Sequence, residues 1–504
     1  MSKITKKTMI LMHKDKLVAS IDFGLTGTFS KLNGFYSRPL MPPGTRVLDN
    51  FVEKRMKDWM ENRMIPLKRE HFAEFMIKKD FQHPIQFYFL NHGLSLNDAY
   101  WIASKEQIEA GILWKDINYF NNNFSPEASM SMMGLNTNLS PSCNSPDFST
   151  NGLSPKVWIK ENGKNVLCKS GNKENNYQEV FNEVIASEIA YRMGLDCVKY
   201  DLAFLTDNDG NKVPICKCEN FCNEDWEFIP AKNLVIENEE IGKNGYIEYM
   251  KKLNLGSYIF QMLSFDYIIA NMDRDATNYG LIRDNNTLEI IGMAPLFDNG
   301  NSLWCNWNET EIGSEDIAKT FETSHKLQIR LVENFDWYEF GCLDGIDEFA
   351  MQVFSYSDIP ENIQEKIVSE LLKRIQMFEK HVSNFIKAQN EKISEDELNN
   401  SNESVYLTEE VLKKRRDATK KQAAALEKAR KQAQEIRAKG EAAKLKALEE
   451  KQRKQDERQA LINKRNQDSM DKIRKMREEE NNQENTEETK KVNSILTDEV
   501  NGFG

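Results

Sequence analysis

Residues 271–282 read NMDRDATNYGLI and residues 294–300 read APLFDNG, and each stretch adjoins an apolar run. The first places Asp273 five positions before Asn278, and the second places Asp298 two positions before Gly300. A phosphoryl-transfer site needs one carboxylate to orient the attacking hydroxyl, and an amide oxygen and a second carboxylate to hold Mg²⁺ on the nucleotide phosphates. Asp, Asn and Gly are also common turn residues at the ends of strands and helices. The two stretches alone therefore leave phosphoryl transfer and plain turns open.

The composition indicates a cytoplasmic protein without a membrane segment. The chain has 504 residues, which allows two to four domains, and 40% of them are hydrophobic. The opening MSKITKKTMILMHKDK has an apolar stretch of only four residues, MILM, too short for a secretory signal. The longest mostly apolar segment, 255–272, contains Asp266 and Asn271 and favours a buried helix over a membrane span. The eight scattered cysteines suit a reducing compartment.

The charge is distributed unevenly. Residues 411–477 carry 23 Lys and Arg against 10 Asp and Glu, although the whole chain has a net charge of −12. The rest of the chain is therefore strongly acidic, which argues against a nucleic-acid-binding fold. The basic segment has the composition of a solvated helix or weak coiled coil, and it is also a candidate electrostatic arm.

Composition shifts divide the chain into six segments. Between 121 and 155, 21 of 35 residues are Ser, Asn, Pro or Gly, which is typical of a linker that buries little apolar area. The predicted segments are an N-terminal mixed domain (1–120), this linker with a phosphate-loop region (121–155), a catalytic domain (156–390), a second linker (391–404), a basic helix or weak coiled coil (405–480) and a disordered acidic tail (481–504).

The catalytic segment has the element order of a two-lobed kinase. KVWIKENGKNVLCK predicts a hairpin turning at Asn162 and Gly163, and YQEVFNEVIASEIAYRMG predicts a helix that Gly194 ends. Strands follow in DLAFLTD and KVPICKC, and mostly helical segments come after them, broken by the hairpin-like YGLIRDNNTLEIIGMAPLFD. We therefore predict an α+β fold, with a two-lobed kinase-like domain, a small mixed N-terminal domain and a long charged C-terminal helix.

Several residues are candidates for nucleotide binding. Lys169 ends the second strand of the predicted hairpin, where a lysine can reach the α and β phosphates, and Glu183 on the next helix can pair with it. Upstream, STNGLSPK supplies Gly152 in a turn, with Ser154 and Ser149 as candidate phosphate-binding or phosphorylated hydroxyls. Each of these residues also has a plain surface or loop interpretation. No GxGxxG occurs in the chain, which argues against a Rossmann site.

Taken together, GLSPKVWIK…VLCK, NEVIASEIAYRMGL, NMDRDATNYGL and APLFDNGNSL resemble the HipA-type serine/threonine kinase family over roughly 148–385. The resemblance implies ATP and Mg²⁺ as cofactors. It also implies that Asp273 is the catalytic base, that Asn278 and Asp298 are metal ligands, and that Lys169 is the strand lysine of the nucleotide site.

The same resemblance implies further contacts and partners. The backbone at Glu219 and Phe221 would hold the nucleotide base, and Ser149 would be a serine whose autophosphorylation ejects the glycine loop. The family implies a growth-arresting toxin, a small DNA-binding antitoxin partner and a translation-related protein substrate. The C-terminal helix is a candidate for self-association or partner binding.

One position departs from the family's pattern. The family has His where this chain has Asp275, and a third carboxylate would add negative charge beside the phosphates. Two rival interpretations therefore stay open: a catalytically weak pseudokinase scaffold whose C-terminal helix binds a protein or RNA, and a lipid or small-molecule kinase. The segment 411–480 contains no Phe, Tyr or Trp for stacking on RNA bases.

Overall fold

A computed structural model describes residues 7–402, except 25–28, 48, 70–71, 79, 82, 126–132, 134–143, 238–244 and 314–316. The fold is α+β, as predicted, and three antiparallel sheets supply its strands. The predicted basic helix at 405–480 and the acidic tail at 481–504 lie outside the described residues. None of the described helices is long and apolar enough to cross a membrane.

The N-terminal sheet has the strand order β3-β2-β1-β4 and carries short helices. Helix α1 buries Met56, Trp59 and Met60, whose spacing of three and four residues puts them on one face against the sheet. The elements are β1 (Lys7–His13), β2 (Lys16–Phe23), β3 (Phe29–Phe35), β4 (Tyr100–Ala103), α1 (Val52–Glu61), α2 (Phe72–Lys78), α3 (Ile85–Leu90), α4 (Lys105–Glu109) and α5 (Trp114–Ile117).

The second sheet and one helix form the first lobe of the predicted catalytic domain. The strands are β5 (Lys156–Glu161), β6 (Lys164–Lys169), β7 (Asp201–Thr206) and β8 (Lys212–Glu219), in the order β5-β6-β8-β7, and the helix is α6 (Gln178–Arg192). Asn162 and Gly163 turn between β5 and β6 with φ of 52° and 77°, the left-handed pair that a two-residue hairpin favours. Gly194 follows α6 with φ of 69° and ends it. The predicted hairpin and helix are both confirmed.

A three-stranded sheet and mostly helices complete the predicted catalytic domain. Helix α9 is buried on nearly all sides, and Ala270, in the left-handed conformation with φ of 51°, turns the chain from it into the quoted stretch 271–282. The elements are β9 (Trp226–Pro230), β10 (Gly280–Asp284), β11 (Ile290–Met293), α7 (Ala231–Glu237), α8 (Gly245–Lys252), α9 (Gly256–Ile269), α10 (His325–Gln328), α11 (Ile346–Phe354) and α12 (Glu361–Asn402).

Buried side chains from both sides of residue 120 share the same cores. Phe87 on α3 stacks on Phe148 with ring centroids 4.4 Å apart, and both belong to a cluster that contains Val157 of β5. Trp101 of β4 lies in one cluster with Trp158 of β5. The N-terminal segment therefore packs directly on the first lobe, and the described residues up to Glu391 form one compact unit.

Two segments predicted as linkers contain ordered structure. Residues Pro146–Ser149 form a buried 3₁₀ helix, because Phe148 supplies an aromatic anchor within a polar stretch. Helix α12 continues to Asn402 and covers most of the predicted linker 391–404. That segment has no Gly or Pro to stop a helix. The compact unit ends at Glu391, and the predicted linker beyond it stays a prediction.

The buried His13 at the end of β1 predicts a pH-dependent stability. Burial, with Lys14 nearby, lowers the pKa of His13 from 6.5 to about 4. The unfolded chain takes up the proton near pH 6.5, whereas the folded chain takes it up only near pH 4. Stability present above pH 6.5 is therefore lost as the pH falls toward 4. When the pH falls from 7 to 4.5, the free energy of unfolding of the wild type should decrease by about 2 kcal/mol more than that of His13→Gln. Chemical denaturation at the two pH values measures both decreases. Equal losses in both proteins would contradict this account.

Candidate active site

Lys169 joins two carboxylates at the end of β6. Its Nζ donates to Oε1 of Glu183 on α6 and, at 2.5 Å, to Oδ1 of Asp298. Glu183 is only 1% exposed, and its other oxygen accepts the backbone N–H of Asn299 at 2.8 Å. Asp298 has φ of 58°, a left-handed conformation uncommon for a residue with a side chain. One ammonium therefore ties the first lobe to the APLFDNG stretch.

The electrostatics of this group favour the charged forms. Burial lowers the pKa of Lys169, but the Asp298 and Glu183 carboxylates outweigh burial and raise it well above its usual value. Burial raises the pKa of Asp298, but Lys169 and Lys156 hold it far below its usual range. Lys169 stays cationic and Asp298 stays anionic near neutral pH, which are the states that bind phosphate and metal.

Arg274, inside the quoted stretch, holds the loop in place. Its guanidinium is 1% exposed and bonds both oxygens of Asp266 on α9 at 3.0 to 3.2 Å. It also donates to the Phe297 carbonyl at 2.6 Å and to Asn299 Oδ1 at 2.5 Å. A buried arginine with these partners holds 271–278 against 297–299, so the stretches 271–282 and 294–300 lie side by side.

Asp273 and Asn278 are linked within that loop. The side-chain amide of Asn278 donates to the backbone carbonyl of Asp273 at 2.9 Å, which leaves the Asn278 oxygen as the donor atom for a metal. Thr277 makes only a long hydrogen bond of 3.4 Å to that oxygen. The Asp273 carboxylate is 41% exposed, and its Oδ1 accepts a hydrogen bond of 2.9 Å from Lys319.

Asp275 closes a turn within the same loop. Its Oδ1 accepts the backbone N–H of Thr277 at 2.6 Å and the Thr277 hydroxyl at 2.5 Å. The residue is exposed, and neither Asp275 nor Asp273 is among the residues that line the cavity beside Lys169. The carboxylate therefore closes its own turn, and the expectation that it adds negative charge beside the phosphates stays a prediction.

A cavity of about 280 Å³ opens in front of Lys169. Asp298, Asn278 and Thr277 line it, and so do Glu219 and Phe221. The Glu219 side chain is half exposed and pairs with Lys164 at 2.6 Å, so its backbone is the part that remains for a ligand. The cavity wall also includes Trp59, Arg63, Asn97, Asp98 and Tyr100 of the N-terminal segment.

An aromatic group supports the region after β8. The ring centroid of Phe221 lies 5.4 Å from that of Phe297 and 5.8 Å from that of Phe228. All three residues line the cavity. A planar base entering beside Glu219 and Phe221 would therefore meet an apolar, aromatic wall.

The glycine turn forms part of the same wall. Gly152 has φ of 100°, which residues with a side chain rarely adopt, and the Lys156 ammonium lies where a side chain at this position would go. Arg69 fixes the turn by donating to the Gly152 carbonyl at 2.9 Å and to the Thr150 carbonyl. Ser149 lies in the wall too, whereas Ser154 is exposed and lies outside it.

Ser149 is buried in this arrangement. It is 3% exposed, and its hydroxyl finds no hydrogen-bond partner among the described residues. Phosphorylation here would place a dianion on a buried side chain, so we expect the turn to move.

Lys156 was missed by the sequence analysis. It begins β5, lines the cavity, and has a pKa that burial lowers to about 8 although Asp298 opposes the shift. Its only sequence signal is its position four residues after Gly152, and a lysine starting a strand resembles any surface lysine. Lys156, Lys169 and Lys232 are the lysines that line the cavity among the described residues.

The donor set fits magnesium bound with a nucleotide. No group of three or more His, Cys, Asp and Glu that would hold a metal by itself occurs among the described residues. Mg²⁺ keeps several waters and takes other oxygens from phosphates, so one or two protein oxygens suffice. Asp298 and Asn278 offer a carboxylate and an amide oxygen to the same cavity.

No family model and no curated protein matches the chain. Among solved structures, it is similar to the Helicobacter pylori proinflammatory kinase CtkA, with a TM-score of 0.36 and 16% identity over 47% of this chain and 92% of that one. It is also similar to a chain of the Shewanella oneidensis toxin–antitoxin complex of HipA, HipB and operator DNA, with a TM-score of 0.43 and 12% identity over 73% and 97%. Because these TM-scores and sequence identities are low, the function is inferred from the residues of the cavity and not from the similarity to these two structures.

Proposed function

We propose that the chain is an ATP- and Mg²⁺-dependent serine/threonine protein kinase that acts in the cytoplasm. The observation that carries the proposal is Lys169, which bridges the buried Glu183 and Asp298 at a cavity that Asn278 also lines. A structural ion pair needs one carboxylate, whereas a nucleotide site needs the lysine, its positioning glutamate and the metal-binding aspartate together.

The proposed reaction moves one phosphoryl group. The acceptor hydroxyl oxygen forms a bond to the γ-phosphorus, the bond from that phosphorus to the β–γ bridging oxygen breaks, and ADP leaves. The hydroxyl proton passes to the Asp273 carboxylate. Lys169 and Lys156 hold phosphate oxygens, and Arg274 keeps the loop of Asp273 rigid against 297–299. Asn278 and Asp298 would hold a magnesium ion, which neutralises phosphate charge when bound.

Ser149 is the proposed acceptor within the chain itself. It lies in the cavity wall beside the glycine turn, and phosphate on its hydroxyl would displace that turn from the nucleotide. The sequence motifs resemble those of the HipA-type family. On this resemblance, we further propose that the protein is a toxin-like growth regulator with a translation-related substrate and a small DNA-binding partner.

The proposal is tested by transfer of labelled phosphate. We expect the full-length protein, with γ-labelled ATP and Mg²⁺, to label serine or threonine in itself or in proteins of a cell lysate. Part of the label on the protein itself should be found in the peptide that contains Ser149. Asp298→Asn should label nothing while remaining folded, because the metal site loses its carboxylate. A folded wild type that labels neither itself nor the lysate would support the scaffold instead.

A further inference from the structure

A lysine outside every sequence motif contacts the proposed catalytic base. Lys319 Nζ donates to Oδ1 of Asp273 at 2.9 Å. It comes 46 positions after Asp273, in a segment with no pattern that resembles a catalytic loop. Its side chain is 52% exposed, so the contact is open to the solvent from which a substrate would approach.

The backbone around Lys319 is fixed on the catalytic loop. The next residue, Thr320, donates its hydroxyl to the Arg274 carbonyl at 2.9 Å. Phe321 is buried with its ring near those of Tyr246 and Tyr279, at centroid distances of 6.1 and 6.4 Å. Two consecutive anchors therefore follow Lys319 and hold its Cα at the edge of the loop. A freely moving surface lysine would have no such support.

Three neighbouring charged groups have other partners. Lys169 is bound to Glu183 and Asp298, and Arg274 is bound to Asp266. Asp275, at the position where the HipA-type family has a histidine, accepts a hydrogen bond from the backbone N–H of Thr277. Among the described residues, Lys319 is the cation that hydrogen-bonds Asp273.

We propose that Lys319 is a positioning residue that holds the Asp273 carboxylate for the acceptor hydroxyl. With Oδ1 bound to the ammonium, the rotation of the carboxylate is restricted and Oδ2 is left to accept the hydroxyl hydrogen. Lys319 stays charged throughout, since the proton passes from the hydroxyl to Asp273 and the phosphoryl group passes to the oxygen. The inference rests on the proposed function and adds the element on the acceptor side that the motifs do not contain.

The test measures kcat and KM for ATP in four full-length proteins: wild type, Lys319→Met, Lys319→Arg and Lys373→Met. Lys373 is a matched control because it makes a similar half-exposed ion pair, 2.6 Å from Glu370, on α12. We expect Lys319→Met to lower kcat by about 10- to 100-fold with KM for ATP nearly unchanged, since the contact orients the base and does not touch the nucleotide. Lys319→Arg should keep most of the activity, and Lys373→Met should match the wild type.

Two further measurements separate positioning from a structural role. Propylamine added to a Lys319→Ala variant should restore part of kcat, because a free ammonium can occupy the vacated place. In an Asp273→Asn background, Lys319→Met should have little further effect, because the two residues act as one unit. Wild-type kcat in Lys319→Met would overturn the proposal, and so would a higher kcat, which would mean that the lysine blocks the base. If the wild type transfers no phosphate at all, the proposed function itself fails.

Discussion

Asp273→Asn is expected to bind ATP as the wild type does and to transfer phosphate about 10²- to 10⁴-fold more slowly, the usual range for loss of a general base. The substitution keeps the shape of the side chain and the backbone carbonyl that Asn278 bonds. The loop should stay intact because Arg274 fixes it through Asp266 and Phe297. Calorimetric ATP affinity and single-turnover transfer rates together measure both halves of this expectation.

Asp275→Asn is the matched control, two residues along the same loop. An asparagine oxygen can still accept the N–H of Thr277 that Asp275 accepts in the structure. We expect its transfer rate to remain within a few-fold of the wild type, because the carboxylate serves its own turn. If Asp275→Asn abolished transfer while Asp273→Asn was tolerated, the roles of the two acids would be exchanged. That result would refute this account of the loop.

Lys169→Met is expected to abolish transfer and to lower the free energy of unfolding by about 3 kcal/mol, as removal of one partner from a buried ion pair does. Without the ammonium, the buried Glu183 loses its cation and faces Asp298 with no positive charge between them. Nucleotide affinity should fall with stability, since the same ammonium would hold the phosphates. Calorimetric titration and chemical unfolding measure the two effects separately.

Two variants serve as controls for Lys169→Met. Lys217 on the neighbouring strand β8 pairs with Glu161 at 2.9 Å but is partly exposed, so Lys217→Met should cost less than about 1 kcal/mol. Adding Glu183→Gln to Lys169→Met removes the negative charge of Glu183, one of the two carboxylates that lost their cation. The double variant should regain part of the stability without any transfer activity. A Lys169→Met protein as stable and active as Lys217→Met would show that the bridge is incidental.

Local patterns in the sequence predicted the scaffold of the site. The turn at Asn162 and Gly163 and the helix ended by Gly194 depend on neighbouring residues and on backbone preferences, which a sequence carries directly. They place Lys169 at a strand end and Glu183 on the following helix, and the structure contains their ion pair. Order along the chain was therefore enough to anticipate this contact across 14 residues.

Contacts between distant segments were not predictable in the same way. Lys156 and Lys319 look like surface lysines in sequence, and only the folded chain brings one to the cavity that Asp298 lines and the other to Asp273. The shared cores on both sides of residue 120 likewise depend on tertiary packing of aromatic side chains such as Phe87 and Phe148. Asp275, in contrast, makes a local contact, because its carboxylate accepts a hydrogen bond from the Thr277 hydroxyl two residues along the chain.

The most direct measurement is the position of a divalent ion in crystals grown with Mn²⁺ and a non-hydrolysable ATP analogue. Mn²⁺ takes the place of Mg²⁺ at oxygen sites and is located by its anomalous scattering. We predict one ion that is coordinated by oxygens of Asn278, Asp298 and the analogue's phosphates, with the base beside Glu219 and Phe221. An ion bound elsewhere with the nucleotide absent from this cavity would contradict the account.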